Sequence, residues 1–509
     1  GVGLDQLLRR DDRRRVIRAR IVAAASLALA LVMSGLTWFA VEARNEADRQ
    51  RAEADGLIEF MLTDLREKLE PVGRLDALDV VGQRALTYYA GQNPGSLDAD
   101  SLGRRARALL LVGEITNIRG NSEEALQAFT QAAATTEEQL ARDPDNEQRI
   151  FDHAQSVFWV GYIAYNRDEL DNAEAQFREY KRLADRLIEL NPDKPEWQME
   201  SSYAEGNLGA MFLEQGRFEE AETAFSNALQ MVEAMVEDGT FDVGQQIEIG
   251  MTVNWLGIVQ GELGKLSESL SLHQREVGIY DAILAREPAN ASAKNRLAVA
   301  LQHLAERQLE SGEIDAAMRS LDRSLAVNSN LRRMEPENTE WQQTEVGGRI
   351  DKSAALLLVG RIAESQTMLE SASALLERML ATDPSNTDWS KLLRLKQMVV
   401  AARLAVAKEN ALEAKALIDV AIGLSSDDKG SVNCATVLLL AGDIEAALNT
   451  PKSARAYWLG ALETMPDIAS LDDERFRLAK RLGQSDDARK LQAKLDRRGF
   501  RHPAYLSEK

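Results

Sequence analysis

The sequence predicts an all-α protein, in which one transmembrane helix precedes a long α-solenoid of antiparallel helix pairs. Similar residues recur every 48 positions along much of the 509-residue chain, which is typical of a repeat array. Near the start, residues 21–41 carry no charge, and an α-helix of that length spans the roughly 30 Å of a bilayer's hydrocarbon core. Aromatic residues make up only 6% and prolines number 11, which favours helix over strand.

A glycine defines the register of the repeat. Gly120, Gly216, Gly264, Gly312 and Gly360 share the 48-residue register, and Asp168 fills the remaining position. Five residues after each stands Ala or Ser, and seven residues before each stands Gly, Ala or Ser. A glycine past a helix end closes the turn in a left-handed conformation, and small residues on both helices let them approach closely. Each unit is therefore predicted to be a helical hairpin.

Two further positions support the hairpin. Nine residues after the turn position stand large side chains: Phe129, Phe177, Phe225, His273, Leu321 and Leu369. Prolines on the same register end the second helix, and Asn or Thr then caps the next first helix. This pattern resembles the tetratricopeptide repeat, whose usual unit has about 34 residues. The longer unit indicates about seven extra residues in each helix, and seven residues turn a helix by roughly 700°, so the buried face is kept.

The whole chain divides by these patterns into seven segments. They are a cytoplasmic basic segment (1–20), a transmembrane helix (21–41), a juxtamembrane helical stalk (42–71), a half repeat (72–100), six long tetratricopeptide-like repeats (101–400), shorter degenerate repeats (401–495) and a polar tail (496–509). The seventh unit needs a slip of one residue to align Ala414. Beyond it, Gly442 with Ala447 and Gly483 with Ala488 are interpreted as the turn and helix residues of shorter units.

Charges around the uncharged stretch predict its orientation. Residues 1–20 contain seven Arg, whereas the flank after residue 41 is mixed. The positive-inside rule then places the N-terminus in the cytoplasm and the repeats in the periplasm or outside, as a single-pass protein of the inner (cytoplasmic) membrane. A signal peptide is the first alternative, but its apolar region is usually shorter. A buried core helix is the second, but it would show a polar stripe.

The stalk is predicted to be one helix that ends at Glu70-Pro71, because a residue before proline avoids the helical region. It either pairs with a second copy as a short coiled coil, giving a homodimer, or packs on the first repeat. The stretch 65–76, LREKLEPVGRLD, resembles the juxtamembrane region of bacterial membrane-anchored multidomain signalling proteins. In those, a cytoplasmic effector domain precedes one membrane helix and a repeat array, so we expect such a domain ahead of Gly1.

Net charge and cysteine content exclude several classes of function. The formal net charge is −20. Residues 1–41 hold seven Arg and three Asp, so the rest of the chain has 54 basic and 78 acidic residues. Nucleic-acid binding needs a basic footprint, so no nucleic-acid partner is expected. The single cysteine, Cys434, excludes an internal disulfide framework.

Motifs for chemistry are not recognisable in the sequence. The four histidines, His153, His273, His303 and His502, show no pair at ligand spacing. The segment 261–265 superficially resembles a phosphate loop but lacks the Ser or Thr after Lys265 and falls on the turn of a repeat. The prediction is no catalytic residue, no metal and no cofactor, and no enzyme activity unless it resides in a preceding N-terminal domain.

The first helices line the concave face in this family, so partner-binding residues are predicted there. The candidates are Phe158, Tyr162, Tyr165 and Tyr203, because aromatic side chains with a polar edge are favoured at binding hot spots. The alternative is that these rings only pack between neighbouring helices. The predicted function is a scaffold or sensor that binds a protein or peptide. A structural component that self-assembles in a membrane complex is the alternative.

Overall fold

The computed structural model describes residues 4–62, 65, 75–90, 98–236, 242–384, 386–425 and 432–509. Within these ranges the chain is helical apart from its turns, and no strand occurs among them. The chain divides into two compact units, Gly1–Thr63 and Asp64–Lys509.

The first unit is one continuous helix, α1 (Leu4–Leu62), of 59 residues. It contains the predicted membrane span and the beginning of the predicted stalk, whereas the predicted stalk end at Glu70-Pro71 lies outside the described residues. Among the described residues, none of the helices has both the length and the apolar composition that a membrane span requires. Several side chains of residues 21–41 are not among the described ones.

The second unit is a series of antiparallel helices. In chain order they are α2 (Leu75–Ala90), α3 (Ala99–Ile118), α4 (Ser122–Arg142), α5 (Glu147–Asn166), α6 (Leu170–Leu190), α7 (Pro195–Glu214), α8 (Phe218–Ala234), α9 (Val243–Glu262), α10 (Leu266–Arg286), α11 (Ala291–Glu310), α12 (Ile314–Met334), α13 (Thr339–Leu358), α14 (Ile362–Thr382), α15 (Arg394–Ala407), α16 (Ala411–Ser425), α17 (Val432–Ala447), α18 (Pro451–Thr464), α19 (Asp472–Leu482), α20 (Ser485–Arg497) and α21 (Pro503–Glu508).

The helices from α3 onward form hairpins, which we number as units 1 to 9. The first helices of units 1 to 6 begin at residues 99, 147, 195, 243, 291 and 339, so they follow one another every 48 residues. Each of these first helices has 20 residues. The predicted all-α solenoid of antiparallel pairs is confirmed. Neighbouring first helices contact one another more than neighbouring second helices do, so the first helices line the inner face.

The turn and cap positions behave as their residue types dictate. The register glycines adopt positive φ, between +70° at Gly216 and +86° at Gly120, and Asp168 takes the same conformation at φ 62°. Asn146 and Asn338 cap α5 and α13, since their side-chain oxygens accept hydrogen bonds from the backbone N–H of Arg149 and Trp341. The caps fix the start of the first helix in units 2 and 6, and the left-handed residues fix the turn between the two helices of units 1 to 6.

Glycines inside the first helices have a different role from the turn glycines. An added Cβ at Gly209 would lie 2.9 Å from the ring of Phe225, and one at Gly161 would lie 3.0 Å from the ring of Phe177. The same contact links Gly257 to the ring of His273 at 2.8 Å. The small residue therefore makes room for a ring from the paired second helix.

Unit 7 differs because a π-helical turn, Asp388–Leu393, precedes α15. A π turn accommodates one extra residue in a helix, which explains the slip of one residue. Glu409 accordingly closes the turn at φ 59°, and Ala414 is fully buried five residues later.

One sequence interpretation is wrong in unit 8. Gly442 is not a turn residue but lies within α17, where an added Cβ would collide with the ring of Trp458. The turn is closed by Asn449 at φ 60°. Gly442 therefore corresponds to the inner glycines such as Gly209, and Ala447 has no turn role. At Gly483 the interpretation holds, because this residue is left-handed at φ 77°.

The segment predicted as a polar tail is a packed part of the array. It ends in α21, where Tyr505 is fully buried with its ring 5.2 Å from that of Phe476. The Tyr505 hydroxyl donates to Asp496 at 2.9 Å, and the Arg501 backbone N–H donates to the carbonyl of Glu310 at 2.6 Å.

The solenoid formed by Asp64–Lys509 returns on itself after five hairpins. The turn of unit 2 meets the start of unit 7, where the Thr387 hydroxyl donates to the carbonyl of Asn166 at 2.6 Å. The turn of unit 4 meets the start of unit 9, where Ser470 donates to Glu262 at 2.6 Å. Further contacts of this kind are Thr339 to the carbonyl of Ile118, Ser122 to Asp383, Lys391 to Asp168, and Arg501 to Glu310. The turns of units 1, 2, 4 and 5 thus contact the chain about five units later, and the first helices enclose an interior.

Candidate binding surface inside the superhelix

The interior carries charged side chains at one register position of the first helices, 48 residues apart: Asp152, Glu200, Glu248 and Arg296. Asp152 is buried and pairs with Arg107 at 2.8 Å. Glu200 is also buried and accepts hydrogen bonds from Gln155 at 2.8 Å and from the Tyr180 hydroxyl at 2.6 Å. Consecutive units therefore present polar groups along one line.

Burial changes the protonation of two of these carboxyls. It raises the pKa of Glu200 to about 7, against the opposing hydrogen bonds from Tyr180 and Gln155. Burial likewise raises the pKa of Glu248 to about 7, although the positive charge of Arg296 opposes the rise. Both carboxyls are partly protonated near neutral pH. The interior is therefore less negative than the composition suggests.

Arg296 lies beside a cavity of about 170 Å³, which is also lined by Asn254, Trp255, Tyr280 and Asn295. Its Nε is buried without a hydrogen-bond partner in the described part of the chain. A guanidinium has five donors in a planar fork that suits a carboxylate. The Nε of this side chain is therefore available to an acceptor that no described residue supplies.

A larger cavity of about 400 Å³ lies farther along the interior, between unit 5 and the C-terminal units. Its charged lining includes Glu306, Glu310, Arg403, Asp473, Arg477 and His502. Arg477 pairs with Asp473 at 3.0 Å. Burial, together with the positive charge of Arg477, lowers the pKa of Arg403. Both cavities thus contain an arginine in a sheltered position.

The four predicted aromatic residues lie on two neighbouring first helices. Phe158 is half-buried on α5, with ring centroids 5.2 Å from Trp159, 5.7 Å from Tyr180 and 6.1 Å from Tyr162. Phe158 thus belongs to the packing between α5 and α6. Tyr203 lies on α7 and is 36% exposed.

Tyr162 and Tyr165 lie near the place where the superhelix closes between units 2 and 7. Burial and the negative charge of Glu340 raise the pKa of Tyr162 to about 12. Burial and the nearby Glu214 and Asp388 raise the pKa of Tyr165. Both phenols therefore stay protonated and can donate hydrogen bonds inside the superhelix.

The structure brings together two histidines that the sequence analysis treated as scattered. His273 on α10 and His303 on α11 have ring centroids 5.4 Å apart. With Glu276 they form a group whose possible ligand atoms all lie within 4.8 Å of one another. The histidines are not all scattered, because His273 and His303 lie next to each other in the folded chain. The sequence analysis missed this pair because the two residues lie on different units. A sequence reveals metal-ligand spacings only within one helix or loop.

The hairpin geometry defines the fold class of this protein: it is an α-solenoid of antiparallel helix pairs, and its repeat resembles the tetratricopeptide repeat. Its fold resembles aspartyl phosphate phosphatase F from Bacillus subtilis, at 10% identity over 79% of this chain and 93% of the other, with a TM-score of 0.46. It also resembles the apo quorum sensor NprR from B. thuringiensis, at 14% identity over 81% and 99%, with a TM-score of 0.45.

A tetratricopeptide repeat protein from Parabacteroides merdae matches at 14% identity over 65% of this chain and 98% of the other, with a TM-score of 0.34. No family model and no curated protein sequence matches the chain. At these identities the likenesses concern the fold alone.

Proposed function

We propose that this chain is a membrane-anchored scaffold or sensor that binds an extended segment of a protein or peptide inside its superhelix. In this proposal, residues 21–41 cross the inner membrane, the repeats lie on the periplasmic or outer side, and the stalk couples them to a cytoplasmic effector domain ahead of Gly1. Binding is assigned to the inner face of the first helices rather than to the outer face.

The observation that carries the binding proposal is the buried Nε of Arg296, which has no hydrogen-bond partner among the described residues. Asn254 and Asn295 line the same cavity. The side-chain oxygen of Asn254 lies 2.7 Å from His303 Nδ1. The side-chain oxygen of Asn295 accepts a hydrogen bond from the Thr344 hydroxyl at 3.2 Å. Their amide N–H groups can then donate to the carbonyls of an extended peptide. A carboxylate on that peptide fits the Arg296 fork.

Photo-crosslinking in cells tests this surface. A photoreactive residue at Tyr203, on the inner face, is expected to trap a specific protein, whereas one at the exposed Thr130 on α4 is not. Arg296→Gln should weaken the trapped partner's binding to the purified chain by roughly 10–100-fold, because a hydrogen bond to a charged group contributes about 1.5–3 kcal/mol. Arg182→Gln, at a side chain 61% exposed on α6, is the control. Equal affinity of the two variants, or trapping from position 130 alone, contradicts binding in the interior.

Exposed apolar side chains support the anchor. Along α1 the described side chains of Leu27, Leu29, Leu31, Val32 and Leu36 are 57–67% exposed. Leu29→Arg with Val32→Arg is expected to release the protein from washed membranes, because each Arg at the centre of a span costs about 2.5–3.5 kcal/mol. The same two positions changed to Ala should leave it bound. A protein that stays in the membrane fraction despite both arginines is not anchored by this segment.

Protease added to spheroplasts tests the orientation, and full protection of the repeats would place them in the cytoplasm.

Pairing of two copies through the stalk belongs to the same proposal. A cysteine that replaces Leu57, which is 60% exposed, should form an intermolecular disulfide between two paired stalks. The native Cys434 is buried and should not compete for this disulfide. Only monomer in membranes would rule out the paired stalk.

A further inference from the structure

We propose that His273, Glu276 and His303 bind one divalent transition-metal ion of the zinc class, which links unit 4 to unit 5. His273 and Glu276 lie on α10, the second helix of unit 4, and His303 lies on α11, the first helix of unit 5. His273 is 1% exposed and Glu276 is 2% exposed, so the two donors are enclosed by the array.

The other repeats of the chain provide an internal reference for these positions. The position of His273 is held elsewhere by Phe129, Phe177, Phe225, Leu321 and Leu369. The position of Glu276 is held by Ala132, Tyr180, Ala228, Ser324 and Ala372, and that of His303 by Leu111, Trp159, Asn207, Trp255 and Asp351. The array thus folds without metal-ligating side chains at the first two positions. The two departures, His273 and Glu276, meet His303 at one point in space, which packing alone does not require.

The donor set suits zinc. Imidazole nitrogen and carboxylate oxygen are common zinc ligands, and three protein ligands with an open fourth position are a recurrent arrangement. A buried carboxyl without a cation is unfavourable unless it is neutralised, and a bound ion would offset that cost for Glu276. Ligand distances of about 2.0–2.1 Å imply about 3.3 Å between donors in a tetrahedral site. The donor atoms now lie within 4.8 Å of one another, so side-chain rotation must bring the most distant pair closer by up to about 1.5 Å.

A neighbouring amide orients one of the ligands. The Asn254 side-chain oxygen lies 2.7 Å from His303 Nδ1, so that nitrogen donates its proton and Nε2 is left to bind the ion. Metal-ligating histidines commonly have such a partner. Glu276 and Asn254 also line the cavity of about 170 Å³, through which water and the ion can reach the group.

Metal titration of the full chain without an affinity tag tests the site. Calorimetry with Zn²⁺, and visible absorption with Co²⁺ as a reporter, should show one ion per chain. His273→Phe and His303→Asn introduce the residues that unit 3 of the same array has at the equivalent repeat positions, namely Phe225 and Asn207. Both variants should therefore fold, and each should weaken binding by more than the roughly 10–100-fold caused by loss of an outer partner.

His153→Asn is the matched control, because His153 lies in unit 2 and contacts the Thr136 hydroxyl at 3.0 Å. It should bind the ion as the unchanged chain does. Absence of stoichiometric binding by the unchanged chain, or undiminished binding by His273→Phe when circular dichroism shows it folded, overturns the proposal. Partner trapping at Tyr203 does not need the ion, so the metal site and the binding surface can fail independently.

Discussion

Gly209→Ala is expected to destabilise unit 3 by about 1–3 kcal/mol, the usual cost of overpacking. The added methyl group would lie 2.9 Å from the ring of Phe225, closer than carbon atoms approach without displacement. Both residues are fixed in helices, α7 and α8. The ring must therefore leave its position or the two helices must separate.

The same chain shows how this cost can be removed. In unit 5 the equivalent pair is Ala305 with Leu321, and both side chains belong to one buried cluster. An aliphatic side chain thus accompanies the extra methyl group where the glycine is absent. Phe225→Leu alone should destabilise unit 3, because it leaves a cavity. Combined with Gly209→Ala it should recover stability, with a favourable coupling of about 0.5–3 kcal/mol.

Hydrogen exchange of α7 and α8 measures this effect better than a global melting curve, because repeat arrays do not unfold as one unit. Gly206→Ala on the same helix is the control. No described atom lies within 4 Å of a Cβ added there, so this change should stabilise the helix by about 0.5–1 kcal/mol. Additive effects of Gly209→Ala and Phe225→Leu would show that the two positions do not share one packing space.

The hairpins could be predicted from the sequence because the interactions that define them are short in range. Gly120 closes a turn, Asn146 caps a helix three residues before its bonded N–H, and Gly209 accommodates a ring 16 residues later. Each of these leaves a fixed spacing in the chain. The register predicts an array of hairpins for the same reason. Only in unit 8, where an inner glycine was assigned to a turn, did two kinds of glycine look alike.

The arrangement of the interior could not be predicted in this way. Ser122 and Asp383 are hydrogen-bonded across 261 residues, and that meeting depends on the small rotation from one unit to the next, summed over five units. The meeting of His273 with His303 depends on packing between units. Tyr505 is buried although its segment is mostly polar. The segment is too short to show a periodic apolar pattern from which this burial could be predicted.

Closure of the superhelix gives the second large effect: Gly120→Val should open the contact between unit 1 and unit 6. At Gly120 φ is +86°, and an added Cβ would lie 3.1 Å from the Thr382 methyl, 3.4 Å from the Thr339 methyl and 3.5 Å from the Trp389 ring. The left-handed backbone costs a side chain about 1–2 kcal/mol. The crowding comes in addition, and the larger Val side chain extends farther into the same contact.

Gly360→Val separates these two costs. Gly360 holds the same turn position in unit 6 at φ +74°, and no described atom lies within 4 Å of a Cβ added there. Backbone strain should thus be similar in the two variants, and only Gly120→Val should loosen the return of the solenoid. Small-angle scattering of the repeat-bearing chain should show a larger radius of gyration for Gly120→Val than for Gly360→Val. Hydrogen exchange should become faster at residues 382–389 in Gly120→Val alone. Identical scattering and exchange in the two variants would mean that the turn of unit 1 does not hold the superhelix closed, and that its interior is shaped by neighbouring units only.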